Sequence, residues 1–144
     1  MIDLHKTYMR FALGLANESK ANRKKVGAVL VTNNGVLLPG INGTPSGWDN
    51  TCEDFYGYDL KGVETLVTKP EVIHAELNCI LKAAKEGVSV IDSTLYVTLS
   101  PCVPCAAMLA QAGIKRVFYY DEYRCKKGID ILRYNGILVH KLEI

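Results

Sequence analysis

Three residues with metal-binding side chains, His74, Cys102 and Cys105, fall where helical periods begin, and no other feature constrains the fold of this chain as strongly. His74 opens HAELN at 74–78, and the two cysteines flank a helix start in PCVPC at 101–105. A structural zinc site closes with four protein ligands, whereas a catalytic one keeps a position for water. A helix N-terminus offers free N–H groups and a partial positive charge, which favour thiolate over thiol. Two thiolates and a neutral imidazole cancel the charge of Zn2+. Glu76, two residues beyond His74, is placed to move the protons of a water that such an ion acidifies to a pKa of about 7. A closed structural site would need a fourth ligand, for which Cys52, Cys79 and Glu76 are the candidates. A redox Cys-x-x-Cys would leave His74 and Glu76 unexplained.

The rest of the chain supplies the elements these ligands need. Tyr8, Phe11, Ala12 and Leu15 recur at i, i+3, i+4 and i+7, which predicts an amphipathic helix. A basic connector, Lys20–Lys25, leads to Val26–Val31, an apolar run suited to a strand buried on both faces. Asn34-Gly35 predicts a hairpin turn, since both residues tolerate positive φ. Val36–Ile41 returns as a second strand. Pro39 within it cannot donate to a ladder, which points to an edge or a bulge. Residues 42 to about 72 show no period and read as one long loop, with Trp48, Phe55, Tyr56 and Tyr58 among acidic residues. Leu77, Ile80, Leu81 and Ala84 predict the buried face of a helix running from His74 to a stop at Gly87. Thr94–Leu99 reads as a strand. Pro104 suits the first turn of a helix that buries Cys105, Met108, Leu109 and Ala112 and ends at Gly113. Arg116–Tyr120 is a strand, 126–135 a helix and Ile137–Leu142 a last strand. Helices separating the later strands imply parallel pairing there. The order αββαβαβαβ predicts an α/β fold, a three-layer α/β/α sandwich around one five-stranded mixed sheet, in a single domain over 1–144.

Composition bounds the partners. With 144 residues, 49% apolar and 22% charged, the chain suits one domain with a full core. A formal charge of +2 offers no strong field for a polyanion, so long nucleic acid is not expected, while a small anionic substrate is compatible. Five cysteines, two of them at metal spacing, argue for a reducing, cytoplasmic compartment. The start, MIDLHKTYMRFALGLA, carries charge through its apolar part, unlike a signal peptide. The apolar runs fall far below the ~20 residues of a membrane span, so no membrane partner is expected.

H-x-E followed by P-C-x-x-C is the pattern of zinc nucleobase deaminases, and the chain resembles the cytidine deaminase superfamily, within it the deoxycytidylate (dCMP) deaminases. VGAVLV at 26–31, GINGTPSG at 40–47, HAELN at 74–78, LYVTLSPCVPCAAML at 95–109 and QAGIKRVFY at 111–119 carry the likeness. The resemblance implies hydrolytic deamination of dCMP to dUMP, with one Zn2+ held by His74, Cys102 and Cys105 and with Glu76 moving protons to N3 and to the departing ammonia. It implies that Asn42 bonds the deoxyribose and that backbone groups of Ala75 and Ser100 read the cytosine edge. Arg23 is expected to take the phosphate, with Lys24 beside it, and Tyr123 resembles a tyrosine near the substrate. Such enzymes are homo-oligomers, often hexamers, activated by dCTP and inhibited by dTTP. A nucleoside triphosphate effector, with Mg2+, is expected near Gly40, Asn42, Gly43 and Thr44. Only Cys52, and no histidine between His5 and His74, is present for a second metal, so one ion is expected. Two other readings stay open: a deaminase of another cytosine compound such as cytidine or dCTP, and a nucleotide-binding module with a structural zinc.

Overall fold

The computed structural model describes residues 3–144. Five strands form the main sheet in the order β2-β1-β5-β6-β7: β1 Gly27–Val31, β2 Leu37–Ile41, β5 Thr94–Leu99, β6 Arg116–Asp121 and β7 Leu138–Lys141. The first two pairings from the β2 edge are antiparallel and the last two parallel, so the sheet is mixed. Helix α1 (His5–Ala16) packs on one face, while α2 (Ala75–Glu86) lies on the other with α3 (Val103–Ala112) and α4 (Lys127–Tyr134) beside it. The predicted three-layer sandwich is the observed architecture.

Strand alternation divides the core between the layers. Ala28, Leu30, Leu95, Val97, Val117 and Val139 face α2, α3 and α4. Val29, Tyr96 and Phe118, from the alternate positions, pack with Met9 and Ala12 of α1. The predicted helix faces need correction by about one residue. In α1 the buried residues are Met9, Ala12 and Ala16, while Phe11 is exposed. In α2 they are Ala75, Glu76, Cys79 and Ala83, with Leu81 and Ala84 outside. In α3 they are Cys105, Ala106 and Leu109, with Met108 outside. The cause is close approach. A helix lying tight on a sheet puts its small residues inward and its bulkier ones at the flank or in solvent.

The β1–β2 turn is made by Gly35 alone at φ +84°, and Asn34 keeps a negative φ. Pro39 stands on the edge strand, opposite Val29, as its missing donor requires. Gly87 and Gly113 end their helices in the left-handed conformation. The larger departure is the segment read as a loop. It holds a second sheet, the antiparallel hairpin β3 (Glu53–Tyr58) and β4 (Glu64–Thr68). A register shift between Phe55 and Gly57 breaks the alternation, and nearly every position past Glu53 is exposed or half-buried, so no apolar period marks it. Among the described residues no helix is long and apolar enough to cross a membrane.

Candidate active site

The functional residues converge at one edge of the main sheet. β5 and β6 run parallel and end together, at Leu99 and Asp121, where open α/β sheets place their ligands. β1 runs the opposite way, so its start lies at the same edge, with Gly27 N–H donating to Thr98 Oγ1 at 3.1 Å. Two helices begin there. His74 is the N-cap of α2, Cys102 the N-cap of α3, and Cys105 lies in the first turn of α3.

The backbone fixes both helix starts. Gly43 and Ile73 exchange N–H···O bonds at 3.1 and 2.8 Å, and Asn78 Nδ2 donates to Ile41 O at 2.6 Å, which ties α2 to the end of β2. Gly40 lets the two approach: a Cβ there would stand 2.2 Å from Ala75 O and 2.7 Å from Cys79 Sγ. Gly128 does the same for α4, since its Cβ would lie 2.0 Å from Pro101 O, next to Cys102.

One donor atom from each of His74, Cys102 and Cys105 lies within 4.8 Å of the others. His74 Nδ1 is 3.1 Å from Cys105 Sγ and 3.6 Å from Cys102 Sγ. Zn–N and Zn–S bonds at a tetrahedral angle place nitrogen and sulfur about 3.6 Å apart, so the donor set fits zinc. Among the described residues neither Cys52, Cys79 nor Glu76 joins this set. Hydrogen bonding with Cys105 brings the Cys102 thiol down to about 4, chiefly ahead of the bond to His74. The Cys105 thiol is raised in return, first by its bond to Cys102 and then by burial. The hydrogen bond to Cys102 raises the His74 imidazole.

Glu76 is only 4% exposed, and burial pushes its carboxyl up to about 7. A carboxyl with that pKa gives and takes a proton with near-equal ease at neutral pH. Beside it opens a cavity of about 320 Å³ that reaches from His74, Glu76 and Cys102 to Arg23, Lys24, Glu53 and Thr68.

The other expected residues also border this cavity. Ala75 presents the first N–H of α2, and Ser100 lies under Tyr123, whose N–H donates to Ser100 Oγ at 2.6 Å. Asn42 Oδ1 accepts from Val26 N–H at 2.8 Å and its Nδ2 donates to Lys24 O at 2.8 Å, so its first task is to clip the 24–26 strand entry. Arg23 donates to Thr68 Oγ1 at 3.1 Å, and Lys24 pairs with Asp121 at 3.6 Å. The expected effector group divides. Asn42, Gly43 and Thr44 border one small cleft, Gly40 and Thr44 border a separate cavity of about 490 Å³ with Lys82 and Lys85, and Asn42 also lines the active-site cavity. Reading the sequence missed Glu53 and Thr68. Both sit at the open end of the hairpin, paired with each other, and no motif marks them.

Two thiol sulfurs, an imidazole and an adjoining carboxylate at the edge of a mixed sheet are the equipment of a metal-assisted hydrolase. Residues 2–121 match the model of the cytidine and deoxycytidylate deaminase zinc-binding region. The deoxycytidylate deaminase of Enterobacteria phage T2 is 36% identical over 92% of this chain and 89% of its own. That of Mycobacterium phage D29 is 35% identical over 83% and 96%. The dCMP deaminase of cyanophage S-TIM5, solved in complex with dCMP and dUMP, superposes with a TM-score of 0.84 at 41% identity, covering 99% of this chain and 100% of that one. The chain belongs to the cytidine and deoxycytidylate deaminase family.

Proposed function

We propose that this single-domain protein deaminates dCMP to dUMP and ammonia. The observation that carries the reading is the buried Glu76 carboxyl beside the His74–Cys102–Cys105 set, at one end of a cavity with cationic groups at the other. The named activity of the phage relatives supports it. His74, Cys102 and Cys105 would hold the zinc, which would supply the Lewis acidity that makes water a nucleophile at neutral pH. Glu76 would accept one proton from the attacking water and pass it to N3 as the C4–O bond forms, then take the remaining hydroxyl proton and pass it to the amine as the C4–N bond breaks, which leaves the C4 carbonyl of dUMP. N–H and C=O groups of Ala75 and Ser100 orient the cytosine edge, Tyr123 closes that side, and Asn42 reaches the sugar with its remaining N–H. Arg23, seconded by Lys24, neutralises the phosphate.

We further assign a cytoplasmic setting, in which the five free thiols stay reduced, and a homo-oligomer, with the hexamer favoured. The lysines beside Thr44 support a nucleoside triphosphate effector, with Mg2+, in that cavity, as dCTP activator or dTTP inhibitor. Side-by-side turnover of cytidine, dCMP and dCTP by zinc-loaded protein, each with and without dCTP or dTTP, tests the whole reading. Preference for dCMP is expected. Equal or faster turnover of cytidine would remove the phosphate role of Arg23, and no turnover at all would leave a binding module.

A further inference from the structure

We propose that Glu53 accepts a hydrogen bond from the 3′-hydroxyl of the substrate's sugar; this deepens, and rests on, the deoxycytidylate reading above. Glu53 opens β3 and is only 7% exposed. Its Oε2 accepts the backbone N–H groups of Asn22 and Arg23 at 2.9 and 3.1 Å. Its Oε1 is buried without any partner, yet the residue borders the cavity that holds His74, Glu76, Asn42 and Arg23. None of the ion pairs among the described residues involves Glu53. A buried carboxylate oxygen left bare is costly, and a donor brought by the cavity's occupant would relieve that cost.

A deoxycytidine 5′-phosphate has few donors to bring. The ionised phosphate offers acceptors and is repelled by a carboxylate. The amino group and N3 of the base belong at the Glu76 end. The 3′-hydroxyl is the one donor left. Asn42 does not compete for this role, because its Oδ1 and one amide hydrogen are held by Val26 and Lys24. Its second amide hydrogen is able to donate to the hydroxyl oxygen while the hydroxyl donates to Glu53. Through Oε2 the same carboxylate fixes the backbone of Arg23, so sugar and phosphate recognition share one anchor. A nucleotide esterified at its 3′-oxygen would meet Glu53 with a negative charge and no donor, which selects free mononucleotides over strands.

The test compares dCMP with 2′,3′-dideoxycytidine 5′-phosphate on zinc-loaded wild type and on Glu53→Gln. A hydrogen bond to a charged acceptor predicts a wild-type preference for dCMP of ~10–100-fold in kcat/KM. In Glu53→Gln the preference should shrink to ~3-fold or less, because the single amide oxygen is claimed by the Asn22 and Arg23 N–H groups and an NH2 stands where the charged acceptor was, while the dideoxy compound had no such bond to lose. Equal losses on both substrates, with the ratio unchanged, would make Glu53 a scaffold for Arg23 and overturn the proposal. Wild type that treats the two compounds alike overturns it whether or not the variant folds. Wild type that deaminates neither brings down the deaminase reading itself, and this inference with it.

Discussion

The main sheet and the β3–β4 hairpin border the same cavity but are built by opposite rules. β1 and β5 are buried along almost their whole length, between α1 on one side and α2 on the other. The hairpin turns Phe55, Tyr56, Tyr58, Val63 and Val67 to solvent. The chemistry hangs on the first region: His74, Glu76, Cys102 and Cys105 stand on two helix starts held to sheet and loop by Gly40 and Gly128. Recognition of sugar and phosphate draws on the second, through Glu53 and Thr68. On the proposed reading, the reacting groups are set in the core, and part of substrate choice falls to the exposed hairpin.

Several substitutions would break or sharpen that contrast. Leu109→Ala, in the packed interface of α3 with the sheet, should cost about 2–5 kcal/mol in urea unfolding. Gly40→Ala should come next, at about 1–3 kcal/mol, because its methyl group meets the α2 backbone at Ala75 O as well as the Cys79 sulfur. It should also lower zinc occupancy, since α2 must shift to admit it. Thr68→Val removes the acceptor that holds Arg23, worth about 0.5–1.5 kcal/mol. Steady-state kinetics should show KM for dCMP rising ~2–10-fold with kcat nearly unchanged. The smallest effect belongs to Leu60→Ser in the hairpin turn, under about 0.5 kcal/mol in the same urea assay. If Leu60→Ser matched Leu109→Ala, the hairpin would be part of the folding core and the contrast would be gone.

What the sequence revealed follows the same division. Metal chemistry admits few residue types at few spacings, so His74, Glu76, Cys102 and Cys105 stood out before any fold was known. The strand order was readable because uninterrupted apolar runs such as Val26–Val31 belong to strands covered on both faces. Helix rotation was not, because Phe11, Leu81 and Met108 are apolar yet exposed while alanines and Cys79 line the close contacts. The hairpin escaped notice because exposed strands with a register shift carry no apolar alternation. Glu53 is one acid among several in its stretch, beside Asp49, Asp54 and Asp59, and only burial and an unpartnered oxygen distinguish it.

The central claim is that Glu76 moves protons beside the three-donor set and is not itself a ligand. The direct test is Glu76→Gln, with zinc content and dCMP turnover measured on the same preparation. Retained zinc and fold with turnover reduced ~10²–10⁴-fold is the predicted result. Loss of zinc, or turnover close to wild type, would contradict it.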